Sequence, residues 1–192
     1  RRYQAALEVM RNMPRVDEKN IARRNLGDLQ FEDVGDAWGL DERGVTHGAV
    51  VVDLDRDGDL DVITNNLNAE ASVFENRTTG TRRMLVQLHG ADGNHFGVGA
   101  KIEVVAGDLK QVRQVSLTRG YMSAGEAIVH VGLGDAAVVD QLRVTWPSGT
   151  VQVVDGIPAD QWLHIHEAAS PESVKPAPVA NAVWFAPSTP MG

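Results

Sequence analysis

Residues 53–61 read Asp-Leu-Asp-Arg-Asp-Gly-Asp-Leu-Asp, which packs five carboxylates into nine positions. Held together in one fold, such charges repel strongly unless a cation neutralises them. Asp53, Asp55 and Asp57 alternate with Leu54 and Arg56, and Gly58 then allows a sharp turn. This is the spacing with which a short loop wraps Ca²⁺: hard oxygens at positions 1, 3 and 5, a backbone carbonyl at 7 and a carboxylate at 9. The predicted ligands are the side chains of Asp53, Asp55, Asp57 and Asp61 and the carbonyl of Asp59. Mg²⁺ fits less well, because it keeps its waters and a rigid octahedron. The competing reading is a solvated acidic turn.

An EF-hand opens in the same way but needs a bidentate Glu at position 12, between two helices. Position 12 here is Thr64, and the flanks are Gly48-Ala49-Val50-Val51-Val52 and Leu60-Asp61-Val62-Ile63-Thr64. Both flanks are short and rich in β-branched residues, so the loop is expected to join two strands, with the ion pinning their connection.

The run from Gly44 through Asp53-Leu54-Asp55-Arg56-Asp57-Gly58-Asp59-Leu60-Asp61 to Val62 resembles an FG-GAP/VCBS repeat, the blade unit of integrin-type β-propellers. The stretch Arg24-Asn25-Leu26-Gly27-Asp28-Leu29-Gln30-Phe31-Glu32-Asp33-Val34 matches what precedes such a loop, and Ser72-Val73-Phe74-Glu75-Asn76 resembles the strand that follows it. In that family the matching aspartates bind Ca²⁺. Arg56 departs from the pattern, which often has Asn there; its side chain is expected to point away from the ion. Residues 85 to about 167 resemble an ASPIC/UnbV domain, which follows such repeats in cartilage acidic protein-like secreted bacterial proteins. The matching residues are Gly97-Val98-Gly99-Ala100-Lys101-Ile102, Gly120-Tyr121-Met122-Ser123, Gly132-Leu133-Gly134 and Val144-Thr145-Trp146-Pro147-Ser148-Gly149.

The expected fold class is all-β: one or more calcium-binding propeller blades, then a small β-sandwich or barrel. A short helix over 3–13 carries Tyr3, Leu7 and Met10 at helical spacing and is expected to pack on the propeller edge; Pro14 stops it. Expected domains are 1–78 for the repeat region, 79–168 for the second β domain and 169–192 for an extended Pro-rich tail. Short strands are predicted at 20–25, 31–34, 47–53, 60–66 and 72–76. Seven more follow, at 84–89, 100–106, 111–119, 127–132, 141–146, 150–154 and 162–166. Alternation buries Val115 and Leu117, and it places Leu142, Val144 and Trp146 in the core with Arg143 and Thr145 outside. Pro147-Ser148-Gly149 folds 141–154 into a hairpin. Trp146 and Trp162 read as buried. Trp184-Phe185, adjacent aromatics in the tail, are expected to dock on this chain or on a partner.

Net charge is −8 over 192 residues, about −6 with one Ca²⁺ bound, and no basic cluster exceeds an isolated Arg pair. Nucleic acid is therefore not an expected partner. There are no cysteines, which excludes disulfides, zinc ribbons and thiol nucleophiles. No run of 18 apolar residues exists, so no membrane-spanning helix is expected. Loops of this kind need extracellular Ca²⁺, since such modules bind in the range of about 10⁻⁴–10⁻³ M. An extracellular or periplasmic location follows, with a secretion signal expected upstream. A propeller needs about four blades to close, so the chain is expected to be the C-terminal piece of a longer protein or to pack against something else.

No nucleophile elbow, P-loop, zincin helix or dinucleotide glycine signature is present. Gly97-Val98-Gly99 and Gly132-Leu133-Gly134 lead into no helix and read as tight turns; Ser123 reads as a turn hydroxyl. Asp92, Asn94 and His95 form a polar loop assigned to turn duty. His164 and His166, two apart on one strand face, could chelate a transition metal, although a plain exposed strand face is the preferred reading. The expected function is a non-enzymatic, calcium-stabilised binding or assembly module with a protein partner or larger assembly. The alternatives are a carbohydrate-binding module with a glycan ligand, or an accessory subunit of an envelope complex.

Overall fold

A computed structural model describes residues 2–13, 18–91 and 93–168. The chain divides into two units, Arg1–Thr79 with Ser116–His130, and Gly80–Val115 with Val131–Gly192. The described residues are mostly β-strand, with one helix near the N-terminus. Among them, no helix is long and apolar enough to cross a membrane. The predicted tail with Trp184-Phe185, and Pro14, lie outside the described residues.

In the first unit, helix α1 (Arg2–Arg11) forms where helical spacing predicts it. Tyr3 and Met10, on its predicted apolar stripe, are exposed and Leu7 is half-buried. Strands β1 (Glu18–Lys19) and β4 (Arg43–Gly44) form a minimal pair. Between them β2 (Arg23–Gly27) and β3 (Gln30–Asp33) make a hairpin. Its tip residues Asp28 and Leu29 both have positive φ, 47° and 60°, the conformation whose twist matches paired strands.

The third sheet of this unit carries the aspartate loop. Strands β5 (Thr46–Val52), β6 (Asp61–Asn66) and β7 (Ser72–Phe74) form an antiparallel meander in the order β5-β6-β7. Val52 pairs with Asp61 and Val51 with Val62, so residues 53–60 are the connection itself, clamped at both ends by strand pairing. β5 alternates half-buried and exposed positions along its length, as a strand with one covered face should. Val51 and Val73 are 53% and 57% exposed. The segment 116–125 returns to this sheet: a Cβ on Gly48 would lie 3.2 Å from the Tyr121 carbonyl, and one on Gly120 would lie 3.1 Å from that of Ala49. Ser123 Oγ donates to the Tyr121 carbonyl at 2.8 Å, the turn role its position suggests.

Among the described residues, the second unit holds two sheets and no closed barrel. β9 (Lys101–Ala106), β10 (Leu109–Gln114), β12 (Val138–Thr145) and β13 (Val151–Pro158) pair antiparallel in the order β10-β9-β12-β13. β8 (Arg82–His89), β11 (Ile128–Gly134) and β14 (Gln161–His166) form the other, in the order β11-β8-β14. β8 and β14 run parallel. Ile102, Val104, Leu142 and Val144 from the first sheet and Met84, Val86 and Leu88 from the second are at most 1% exposed. Burying each such side chain contributes roughly 1.5–3 kcal/mol. The predicted 141–154 hairpin is present, with Thr145 opposite Val151. Val115 is buried, but Leu117 is only half-buried, because β10 ends at Gln114 and the chain has left the sheet. Trp146 is buried, whereas Trp162 is half-buried on the outer face of β14.

Two turn assignments gain a physical basis. Asn94 clamps Val98 from both sides, its Oδ1 accepting the Val98 N–H at 2.9 Å and its Nδ2 donating to the Val98 carbonyl at 3.0 Å. Gly97 has φ 59°, and a Cβ there would meet Leu88 Cβ at 2.8 Å. Only glycine fits.

Candidate metal centre

The loop is organised by its own side chains. Asp55 Oδ1 accepts the Asp57 N–H at 3.1 Å and Asp57 Oδ1 accepts the Asp59 N–H at 2.9 Å, two consecutive turns of the kind Asp forms with the amide two residues on. Asp53 reaches across the loop, its Oδ2 accepting the Gly58 N–H at 3.0 Å. Arg56 and Gly58 take φ of 61° and 91°, curling the chain back on itself. Arg56 is exposed.

This curl brings carboxylate oxygens of Asp53, Asp55 and Asp57 within 4.8 Å of one another. Asp55 and Asp57 are exposed, while Asp53 is half-buried. The other oxygen of Asp53, Oδ1, is buried and makes no hydrogen bond. Burial raises the Asp53 carboxyl above its ordinary range; His130 and the Gly58 backbone oppose the rise, and Asp57 and Asp55 add to it. A buried, partnerless carboxylate oxygen beside two further carboxylates is costly without a cation. The donor set consists of hard oxygens, which suits a hard divalent ion such as Ca²⁺.

Asp59 is half-buried, and neither its side chain nor that of Asp61 joins the converging group. Asp61 is only 3% exposed and has structural work of its own. Its Oδ2 accepts the Leu54 N–H at 2.9 Å and its Oδ1 accepts the Asn76 N–H at 2.8 Å. It thereby ties the start of the loop to the chain leaving β7. Each oxygen retains a second lone pair for a cation.

His130 was not singled out from sequence. Val129, Val131 and Leu133 are buried, so alternation along β11 sends His130 to the opposite face. It is half-buried there, with Nδ1 lacking a hydrogen-bond partner. Burial lowers its pKa, against which the Gly58 backbone and then Asp53 pull upward. Strand alternation gives its face in the sequence; nothing in the sequence gives its neighbour.

A second concavity of the first unit, about 500 Å³, is lined by Trp38, Leu40, Leu60, Val62, Phe74 and residues 75–78. Trp38 is 56% exposed.

The family model described as ASPIC and UnbV matches residues 90–172. This stretch is similar to the ASPIC/UnbV family. Mouse cartilage acidic protein 1 is 31% identical over 134 residues, covering 67% of this chain and 20% of that protein. The Xenopus tropicalis protein of the same name is 31% identical over 137 residues, covering 68% and 21%, and the human one 29% over 133 residues. The chain thus spans about a fifth of the length of these curated relatives. The ASPIC/UnbV match includes Gly120-Tyr121-Met122-Ser123, the segment that lies against β5 within the first unit.

Proposed function

We propose that the chain is a calcium-stabilised, non-catalytic binding or assembly module working in an extracellular or periplasmic setting. In this reading Asp53, Asp55, Asp57 and Asp61, with the Asp59 carbonyl, hold one Ca²⁺. The observation that carries it is the buried, partnerless Asp53 Oδ1 beside the Asp55 and Asp57 carboxylates. The ion supplies the missing partner and stiffens the β5–β6 connection.

The β5-β6-β7 meander is read as one FG-GAP/VCBS-type propeller blade. The loop position between its first two strands and the exposed Val51 and Val73 support this, since blades bury such residues against neighbouring blades. A protein partner or a larger assembly, including an envelope complex, is the proposed ligand class. Calcium at about 100 times its dissociation constant would add roughly 2.7 kcal/mol of stability. Melting the protein with and without EGTA tests this: a higher midpoint with Ca²⁺ supports it, and an unchanged one rejects it.

A carbohydrate-binding module is the second reading, favoured by Trp38. An exposed indole beside a cavity that also presents Glu75, Asn76 and Arg77 offers a stacking face with polar groups around it. Glycan-array binding abolished by Trp38→Ala would establish it.

A further inference from the structure

His164 and His166 lie two apart on β14 and share a face, as their spacing predicts, and β8 adds a third imidazole. In the parallel β8–β14 pair His166 stands opposite His89 and His164 opposite Gln87. Met84, Val86, Leu88, Leu163 and Ile165 point to the core, which leaves His89, Trp162, His164 and His166 together on the outer face.

On that face the rings form a stack. Trp162 lies on His164 with centroids 5.3 Å apart, His164 on His89 at 5.3 Å, and His89 on His166 at 4.4 Å, all within 23° of parallel. His89 Nε2 and His164 Nδ1 are 3.0 Å apart, so one ring donates a proton that the other accepts. His89 is half-buried, and His164 and His166 are exposed.

We propose that His89 Nε2 and His164 Nδ1 form a bidentate chelate for a divalent transition metal of the Cu²⁺ or Ni²⁺ class. Two nitrogens 3.0 Å apart subtend roughly 90–95° at a metal about 2.05 Å from each. That is the cis angle of tetragonal Cu²⁺ or Ni²⁺ sites. A tetrahedral Zn²⁺ site would hold the same pair about 3.3 Å apart. The metal takes the place of the shared proton: His89 carries its proton on Nδ1 and His164 on Nε2, with no net proton lost. A turn of the exposed His164 ring about χ2, a broad torsion, directs both lone pairs to one point.

His89 is the preorganised half of the pair, sandwiched between His164 and His166. His166 positions the His89 ring by stacking and does not ligate. Solvent on the open face fills the remaining coordination positions.

The test is calorimetric titration of the untagged chain with CuCl₂, NiCl₂ and ZnCl₂ at neutral pH in saturating Ca²⁺, alongside NMR of the histidine side chains. The expected result is one Cu²⁺ or Ni²⁺ bound more tightly than Zn²⁺, with His89 and His164 resonances affected first. His164→Gln, an exposed substitution, and His89→Gln should each weaken binding by about tenfold or more. His47→Gln and His95→Gln should leave it unchanged, and His166→Phe, which keeps a stacking ring, should retain it. Absence of binding, tighter binding of Zn²⁺, or binding that survives His164→Gln would overturn the proposal.

Discussion

Asp53 Oδ2 accepts the Gly58 N–H at 3.0 Å across the loop, and Asp53 Oδ1 is left buried with no hydrogen bond. One carboxylate thus both closes the loop and carries an uncompensated charge. The two roles separate when Asp53 is replaced by Asn, which can still accept the Gly58 hydrogen bond but brings no charge. With the folded-state pKa raised above its unfolded value, the folded protein binds the proton more tightly, so Asp53 costs stability as pH rises above the ordinary carboxylate range. Asp53→Asn should therefore raise the melting midpoint of the metal-free protein at neutral pH and lower it in saturating Ca²⁺. Paired thermal melts in EGTA and in Ca²⁺ check the crossover; a shift of the same sign in both rejects it.

Asp61 should behave differently from Asp55 and Asp57. Its two hydrogen bonds, from the Leu54 and Asn76 amides, exist without an ion. Asp61→Ala should cost roughly 2–4 kcal/mol in EGTA. Asp55→Ala and Asp57→Ala each remove one exposed turn hydrogen bond together with one of the repelling carboxylates, so they should cost less there than Asp61→Ala, and they should remove most of the Ca²⁺-dependent stabilisation. Urea denaturation of the three variants, with and without Ca²⁺, measures both terms.

Gly97 tests the packing of the second unit. At φ 59° with a Cβ facing Leu88 at 2.8 Å, Gly97→Ala combines a left-handed backbone penalty with overpacking. The expected loss is about 2–4 kcal/mol, independent of Ca²⁺. Denaturant midpoints at constant slope check it.

The acid limb of stability should carry the signature of His130. Its pKa is lowered in the fold, chiefly by burial, so the unfolded chain takes up the proton first. Its contribution is intact above the ordinary imidazole range and is lost as pH falls through that range toward the folded value. His130→Gln should flatten the dependence of unfolding free energy on pH in this window. The slope should not vanish, since His89 is shifted in the same direction.

Local signals told most of the fold. Alternation at Leu142, Val144 and Trp146, followed by Pro147-Ser148-Gly149, specified one hairpin because side-chain face and turn chemistry agree there. Partners distant in sequence were not legible. Periodicity assigns His164 a face but cannot choose β8 as its neighbour, still less the parallel direction. Residues 116–119 read as the continuation of a strand, yet the segment lies against β5, where Gly120 permits the close approach to the Ala49 carbonyl. At the loop, the spacing of Asp53, Asp55 and Asp57 was sufficient to foresee their convergence. The Asp61 contact to the Asn76 amide, 15 residues on, and the approach of His130 both depend on tertiary packing and leave no local trace.

In the proposed function a cation completes the loop at Asp53. Calorimetric titration of EGTA-treated protein with Ca²⁺, followed by melting of the same sample, addresses it most directly. The expected result is one Ca²⁺ per chain, a midpoint that rises with Ca²⁺ concentration, and loss of both effects in Asp55→Ala and Asp57→Ala. No heat of binding together with an unchanged midpoint at millimolar Ca²⁺ would contradict it.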